Sequence, residues 1–289
     1  MEMYEIVKHY RDNKALRRSF NALAEKTFGL NFEGWYQNGF WGDNYDPYSV
    51  VIDGEVVANV SVNKTDMMIG GQRKRIYQLG TVMTAEEYRN RGLIRAIMAE
   101  VEQDIRDADG VYLFANDSVT EFYPKFGFQK GTEHIYSKAE DQSGENRMVN
   151  VPMETSADWA VLSKAMEAST FRGGCDMVGN PELIFFYVSQ FMQECVFHSA
   201  ELDAYVIAEL EDGELLLHNV FCPNAVSLED VIAAFGGEVK KVNLGFAPEE
   251  IAGFDIQELC EEECTFFVKG GVFEDFEARK LRIPSLSHA

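Results

Sequence analysis

Residues 88–98 read "YRNRGLIRAIM", and the interpretation of the whole chain turns on them. From Leu93 onward the apolar positions Leu93, Ile94, Ile97, Met98, Val101 and Ile105 form one helical stripe, with Glu100, Glu102, Gln103, Asp104 and Arg106 outside it. Gly110 is the expected C-terminal stop. Yet the helix opens on Arg89, Arg91 and Gly92. Basic side chains are unfavourable beside the positive end of a helix dipole. An anion seated on the unpaired backbone N–H groups of the first turn resolves the conflict. Gly92 would let that anion approach the backbone closely, and Arg89 and Arg91 would add charge-assisted donors. A phosphate or pyrophosphate fits this arrangement.

Working outward, "RIYQLGTVMT" (75–84) before the loop and "VYLFAN" (111–116) after the helix read as buried strands. Upstream, Leu16, Phe20, Leu23, Ala24 and Phe28 mark a helix that stops at Gly29. "YSVVIDGEVVANVSV" (48–62) is a hairpin turned at Asp53-Gly54, followed by a further strand near 67–69. "FQKGTEHIYSK" (128–138) is expected to close the unit as a hairpin-like strand pair, and the polar stretch 137–148 reads as a linker. Beyond it come helices near 159–168 and 181–194, a hairpin at Asp212-Gly213, a helix capped by Ser227 and a strand in "VKKVNLGF". Hairpin, helix, strand repeats the order of the first half, so the expected division is residues 1–145 and 146–289, an α/β chain whose second part is a degenerate copy of the first.

A second motif follows the strand at 111–116. Asn116 stands seven residues before Tyr123, in "NDSVTEFYPKFGF" with its Gly-Phe turn. Together with Arg89-Asn90-Arg91-Gly92-Leu93-Ile94, this resembles the GNAT superfamily of acetyl-CoA-dependent N-acyltransferases over about residues 1–138. The family signature [QR]-x-x-G-x-[GA] is met at its first four positions and departed from at Ile94.

The resemblance implies a mixed, centrally splayed sheet with a smaller α/β domain appended, and acetyl-CoA as co-substrate with no metal. By the same resemblance Val82, Met83 and Thr84 would pair with the pantetheine arm, Arg89, Asn90, Arg91, Gly92, Leu93 and Ile94 would cradle the pyrophosphate, and Asn116 would touch the cofactor tail. Tyr123 would protonate the departing thiolate. A phenol is a usable donor at neutral pH. The acceptor pocket would draw on the aromatic loop 31–48, with Glu33, Trp35, Tyr36, Trp41 and Tyr45 foremost, beside Tyr48, Asp43 and Asp46. Cation–π and carboxylate contacts there suit a cationic small-molecule amine. The alternative is that these aromatics fill a core.

The general base is the gap. The strand 75–84 carries no carboxylate or histidine. Water relayed through Gln78, the acids Glu33, Asp66 and Glu133, and the terminal carboxylate of Ala289 beside His288 stand as candidates.

Composition narrows the partners. With 46% hydrophobic and 26% charged residues the chain is globular, and no stretch approaches the length of a membrane span. The N-terminus lacks a signal-peptide core, which reads as cytoplasmic. Net charge is −22, with residues 1–145 carrying 17 basic against 23 acidic side chains and the remainder 9 against 25. Such a field disfavours nucleic acid and anionic membrane. All five cysteines lie beyond residue 174 at irregular spacing, so they read as reduced thiols, and none serves the first motif as a nucleophile. The readings left open are an acetyltransferase of small amines, one of peptide amines, and a non-catalytic acyl-CoA sensor; a homodimer is one open assembly state.

Overall fold

The structure, a computed structural model, describes residues 4–141 and 144–288. β1 (Glu5–Val7) precedes α1 (Lys14–Phe28), whose start is capped by the Asn13 side chain and whose end is Gly29 in the left-handed region. After α2 (Glu33–Gln37), β2 (Tyr45–Ile52) and β3 (Glu55–Ile69) meet at Asp53-Gly54. Both turn residues have positive φ, 52° and 84°, as a tight hairpin between twisted strands requires. The run 67–69 is the end of β3 rather than a separate strand. β4 (Gln72–Thr84), α3 (Leu93–Asp104) and β5 (Gly110–Ala115) form the expected strand–helix–strand unit. The helix stops at Asp104, before Gly110. Gly110 instead opens β5, where a Cβ would lie 2.5 Å from Val272 and 2.6 Å from Phe273.

β6 (Gln129–Lys130) and β7 (His134–Ala139) follow, and here the expected strand pair is wrong. The two do not pair with each other. The second part adds β8 (Val149–Asn150), α4 (Ser156–Ala168), β9 (Cys175–Val178), α5 (Pro181–Phe191) and β10 (Val196–Ser199). Then come β11 (Ala204–Glu211), β12 (Glu214–Phe221), α6 (Leu228–Ala234), β13 (Lys241–Leu244), β14 (Asp255–Glu258) and β15 (Thr265–Lys269).

One sheet runs β1-β2-β3-β4-β5-β15-β6, with β9 against the far end of β3; the other runs β14-β7-β13-β12-β11-β10-β8. Each contains an antiparallel pair (β3–β4; β11–β12), a helical crossover to a parallel strand (β5; β13), an antiparallel strand donated by the other half (β15; β7), and a short edge strand (β6; β14). The second half thus repeats the topology of the first, and the halves exchange one strand. The sheets do not divide at residue 145. One apolar cluster serves both, joining Met67, Ile76 and Tyr112 to Val206, Leu217 and Val242. A second lies between the first sheet and α3, and a third beneath α1.

A fragment of residues 1–145 would leave the outer edge of β5 unpaired and its face without Phe266, which is 5% exposed, and Phe267, which is fully buried. Expressed alone, it should aggregate or unfold without cooperativity in urea, where the whole chain gives a single steep transition. A cooperatively folding fragment would contradict the exchange.

Candidate functional site

β4 and β5 run side by side only from Ile76–Leu79 against Gly110–Leu113. Past that point β4 stays with β3, and β5 stays with β15, so the two strands part. A bulge marks the fork, with a register shift between Asn59 and Ser61 of β3. Opposite it Thr81 has φ 48°, an outlier for a β-branched residue. The strained turn is held from behind. Asn59 Nδ2 donates to the Thr81 carbonyl at 2.9 Å, and the Tyr45 and Thr81 hydroxyls meet at 2.5 Å.

The fork opens into a groove of about 900 Å³. Every coenzyme residue expected from sequence lines it: Val82, Met83 and Thr84 on β4, Arg89 to Ile94 at the helix start, Asn116 after β5, and Tyr123. Asn90 and Gly92 take positive φ, 62° and 77°, which turns the loop so that α3 begins with no side-chain cap. Its first-turn residues Leu93, Ile94 and Arg95 line the groove. Arg89 and Arg91 are exposed, with Arg91 donating to the Glu87 carbonyl at 2.7 Å and stacking 4.8 Å over Tyr88. Sequence reasoning missed Arg95, on the same first turn, and Thr27, Phe28 and Leu30 from the end of α1, all of which line the groove. The position of Arg95 three residues past Gly92 could have shown it.

Tyr123 sits in a 3-10 turn (Tyr123–Phe126), 4% exposed and packed against Phe122, Phe128 and Phe267. Burial pushes its phenol up to about 12. It therefore stays protonated throughout the physiological range.

The profile described as an acetyltransferase (GNAT) domain matches residues 13–131. Residues 13–131 are a GNAT acetyltransferase domain. The chain is therefore an acyltransferase. No curated protein matches it in sequence. Among solved structures, a probable N-acyltransferase of unknown function from Enterococcus faecalis superposes with TM-score 0.64 at 16% identity, over 95% of this chain and 74% of that one. A GCN5-related N-acetyltransferase from Kribbella flavida gives 0.58 at 19%, over 92% and 72%, and Eis1 from Mycobacterium abscessus 0.57 at 14%, over 91% and 73%. At these identities the likeness is one of fold, and it extends through both halves.

The aromatic loop lies behind the groove of the GNAT domain. Trp35, Trp41 and Tyr45 are at most 4% exposed and pack with Phe20, Phe32 and Phe186. The Trp35 indole donates to the Glu182 carbonyl and that of Trp41 to Tyr45. Glu33 pairs with Arg17 at 2.8 Å, which holds its carboxyl below the usual range, and Tyr36 lies 3.5 Å under the same guanidinium. None of the five lines the groove; Tyr45 alone reaches it indirectly, through Thr81. Tyr48 bonds Asp104, Asp43 pairs with Arg11, and Asp46 is buried against His9.

The base candidates are scattered. Asp66 is tied to Arg73 at the far end of β3. Glu133 is buried beside the C-terminal segment 281–288, which threads between the sheets. It accepts from the Ile283 N–H at 2.7 Å, while the Tyr112 hydroxyl donates to the Ser287 carbonyl at 2.6 Å. The His288 ring stacks 3.9 Å from Phe114, a groove residue, and burial pushes its imidazole down to about 3. Ala289 lies outside the described residues. Among the described lining residues there is no carboxylate or histidine.

Burial lifts the Glu133 carboxyl from 4.5 to about 8. The unfolded chain releases this proton first, so the group's contribution to stability declines as pH rises from about 4.5 to about 8 and is flat beyond. Glu133→Gln keeps an oxygen for the Ile283 N–H and removes that slope. Urea melts of the two proteins should show the variant gaining on wild type between about pH 5 and pH 8; a difference independent of pH would sink this account.

Proposed function

We propose that the chain transfers an acetyl group from acetyl-CoA to a primary amine of a small cationic molecule, by direct attack in a ternary complex. The observation that carries this reading is the groove itself: an uncapped, arginine-flanked helix start at one end and a buried phenol at the other, joined by the free inner edges of β4 and β5.

The chemistry follows from these positions. The helix start and Arg89 and Arg91 take the pyrophosphate. The β4 backbone at Val82–Thr84 pairs with the pantetheine amides, and an N–H at the bulge stabilises the tetrahedral oxyanion. The amine nitrogen forms the new C–N bond as the C–S bond breaks. Tyr123 gives its proton to the leaving thiolate and recovers one from solvent, and the surplus proton on the new amide leaves through water. No cysteine lines the groove among the described residues, so no acyl-thiol intermediate is invoked. Acidic net charge favours approach of a cationic acceptor. Unpaired thiols suit the reducing cytoplasm.

Calorimetry tests the coenzyme half. Arg89→Ala/Arg91→Ala should weaken acetyl-CoA binding by about 10-fold or more through loss of charge-assisted bonds. If wild type ignores acetyl-CoA, the proposal fails. Thiol release tests the acid: Tyr123→Phe should lower kcat by about 10²-fold with the Kd for acetyl-CoA unchanged. Unaltered kcat would remove Tyr123 from the mechanism.

A further inference from the structure

The fork between β4 and β5 has a counterpart in the second sheet, where β12 and β13 pair only from Glu214–Leu217 against Lys241–Leu244. His218 and Gly245 stand just past the last pair there, as Gly80 and Phe114 stand just past Leu79 and Leu113 in the first sheet. At this level Ser285 of the C-terminal segment bridges the second fork. Its N–H donates to the Gly245 carbonyl at 2.7 Å, and its hydroxyl meets His218 Nδ1 at 2.8 Å. A Cβ on Gly245 would lie 2.4 Å from that hydroxyl, so the serine fits closely against the β13 backbone. Arg282 adds a donation to the Leu244 carbonyl at 2.8 Å. Anchored there, the segment runs on to the first sheet, where the Ser287 carbonyl accepts from the Tyr112 hydroxyl and the His288 ring stacks on Phe114 at 3.9 Å. The Phe114 ring is also stacked with Phe266 at 5.3 Å. Phe114 and Gly80 both line the groove. Gly80 has no side chain, so at the level just past the last pair the Phe114 ring is the side chain that sets how deep the fork runs.

We propose that Phe114, held in place by this C-terminal strap, is the end wall of the acyl subsite and restricts the transferred group to a short acyl chain. This rests on the acetyltransferase reading above. With the pyrophosphate at the helix start and the pantetheine arm along Val82–Thr84, the thioester comes to the bulge at Thr81. Its acyl chain then points on into the fork, toward Leu79, Gly80 and Phe114, all of which line the groove. An acetyl group ends short of the ring, whereas each further methylene has to displace it. Displacement is costly because the ring is packed against His288 and Phe266, and close-packed aromatic neighbours do not yield without strain. Ser285 and His218 touch neither coenzyme nor acyl chain. They are positioning residues, acting through His288 on the wall.

Calorimetry with acetyl-CoA and hexanoyl-CoA, which differ only in the length of the acyl chain, reads the wall without any need for an acceptor. Wild type should bind hexanoyl-CoA about 10-fold or more weaker than acetyl-CoA. Phe114→Ala removes the wall and should bring the two Kd values together. Ser285→Ala lies outside the groove and should narrow their ratio by about 3-fold through loss of one anchoring bond, with the Kd for acetyl-CoA within twofold of wild type. His218→Ala should match Ser285→Ala, while His218→Asn, which keeps a polar atom at the Nδ1 position, should match wild type. A ratio of two affinities is not moved by a loss of overall stability, so these results separate positioning from a merely structural role. Should Phe114→Ala fail to fold, Ser285→Ala carries the test alone. A wild type that binds the two thioesters alike, a ratio unmoved in folded Phe114→Ala, or a ratio unmoved in Ser285→Ala overturns the inference. Failure of wild type to bind either thioester overturns the function instead.

Discussion

The pairing of β15 along the outer edge of β5 is the contact on which the rest depends. It brings residues 265–269 back into a sheet that begins at residue 5, while β7 occupies the equivalent place in the other sheet. Because both outer positions are filled by exchange, the two units share an apolar core and neither has a complete sheet of its own. The C-terminal segment then has one route available, between the sheets, and that route carries Ser287 and His288 to Tyr112 and Phe114.

The same pairing explains the groove. β4 is committed to β3 and β5 to β15, so each strand satisfies its outer edge and the inner edges diverge under opposing twists. A backbone edge left open inside a protein costs free energy unless a ligand completes it. The bulge at Thr81 turns that edge, and the buried Asn59 and Tyr45 hold the turn in place. Tyr123 sits where apolar neighbours keep its proton in place. Strain, open edge and buried phenol lie together around one groove.

Much of the groove's lining was legible because its signals are local. A glycine after two arginines at a helix start, and a tyrosine seven residues past an asparagine, lie within short windows, and backbone geometry does the rest. The exchange was not legible. "TFFVK" has strand propensity, but nothing within it says which edge it will join, and "FQKGTEHIYSK" reads as a hairpin although its two strands go to different sheets. The aromatic loop shows a different limit. Trp35 and Trp41 suit a pocket wall and a core equally well by residue type. Only the arrival of Phe186 and the Glu182 carbonyl from α5 decides for the core.

The exchanged strand also orders events during synthesis. A ribosome that has made the arginine-glycine turn, the groove-lining strand and the tyrosine has those groove residues in hand by residue 123, yet β5 must wait for residues 265–269 to leave the exit tunnel. Until then its edge is open to chaperones and to neighbouring nascent chains, and the groove has one loose wall. The groove can be completed only after nearly the whole chain has emerged, so translation and the finished groove are coupled through a single late strand.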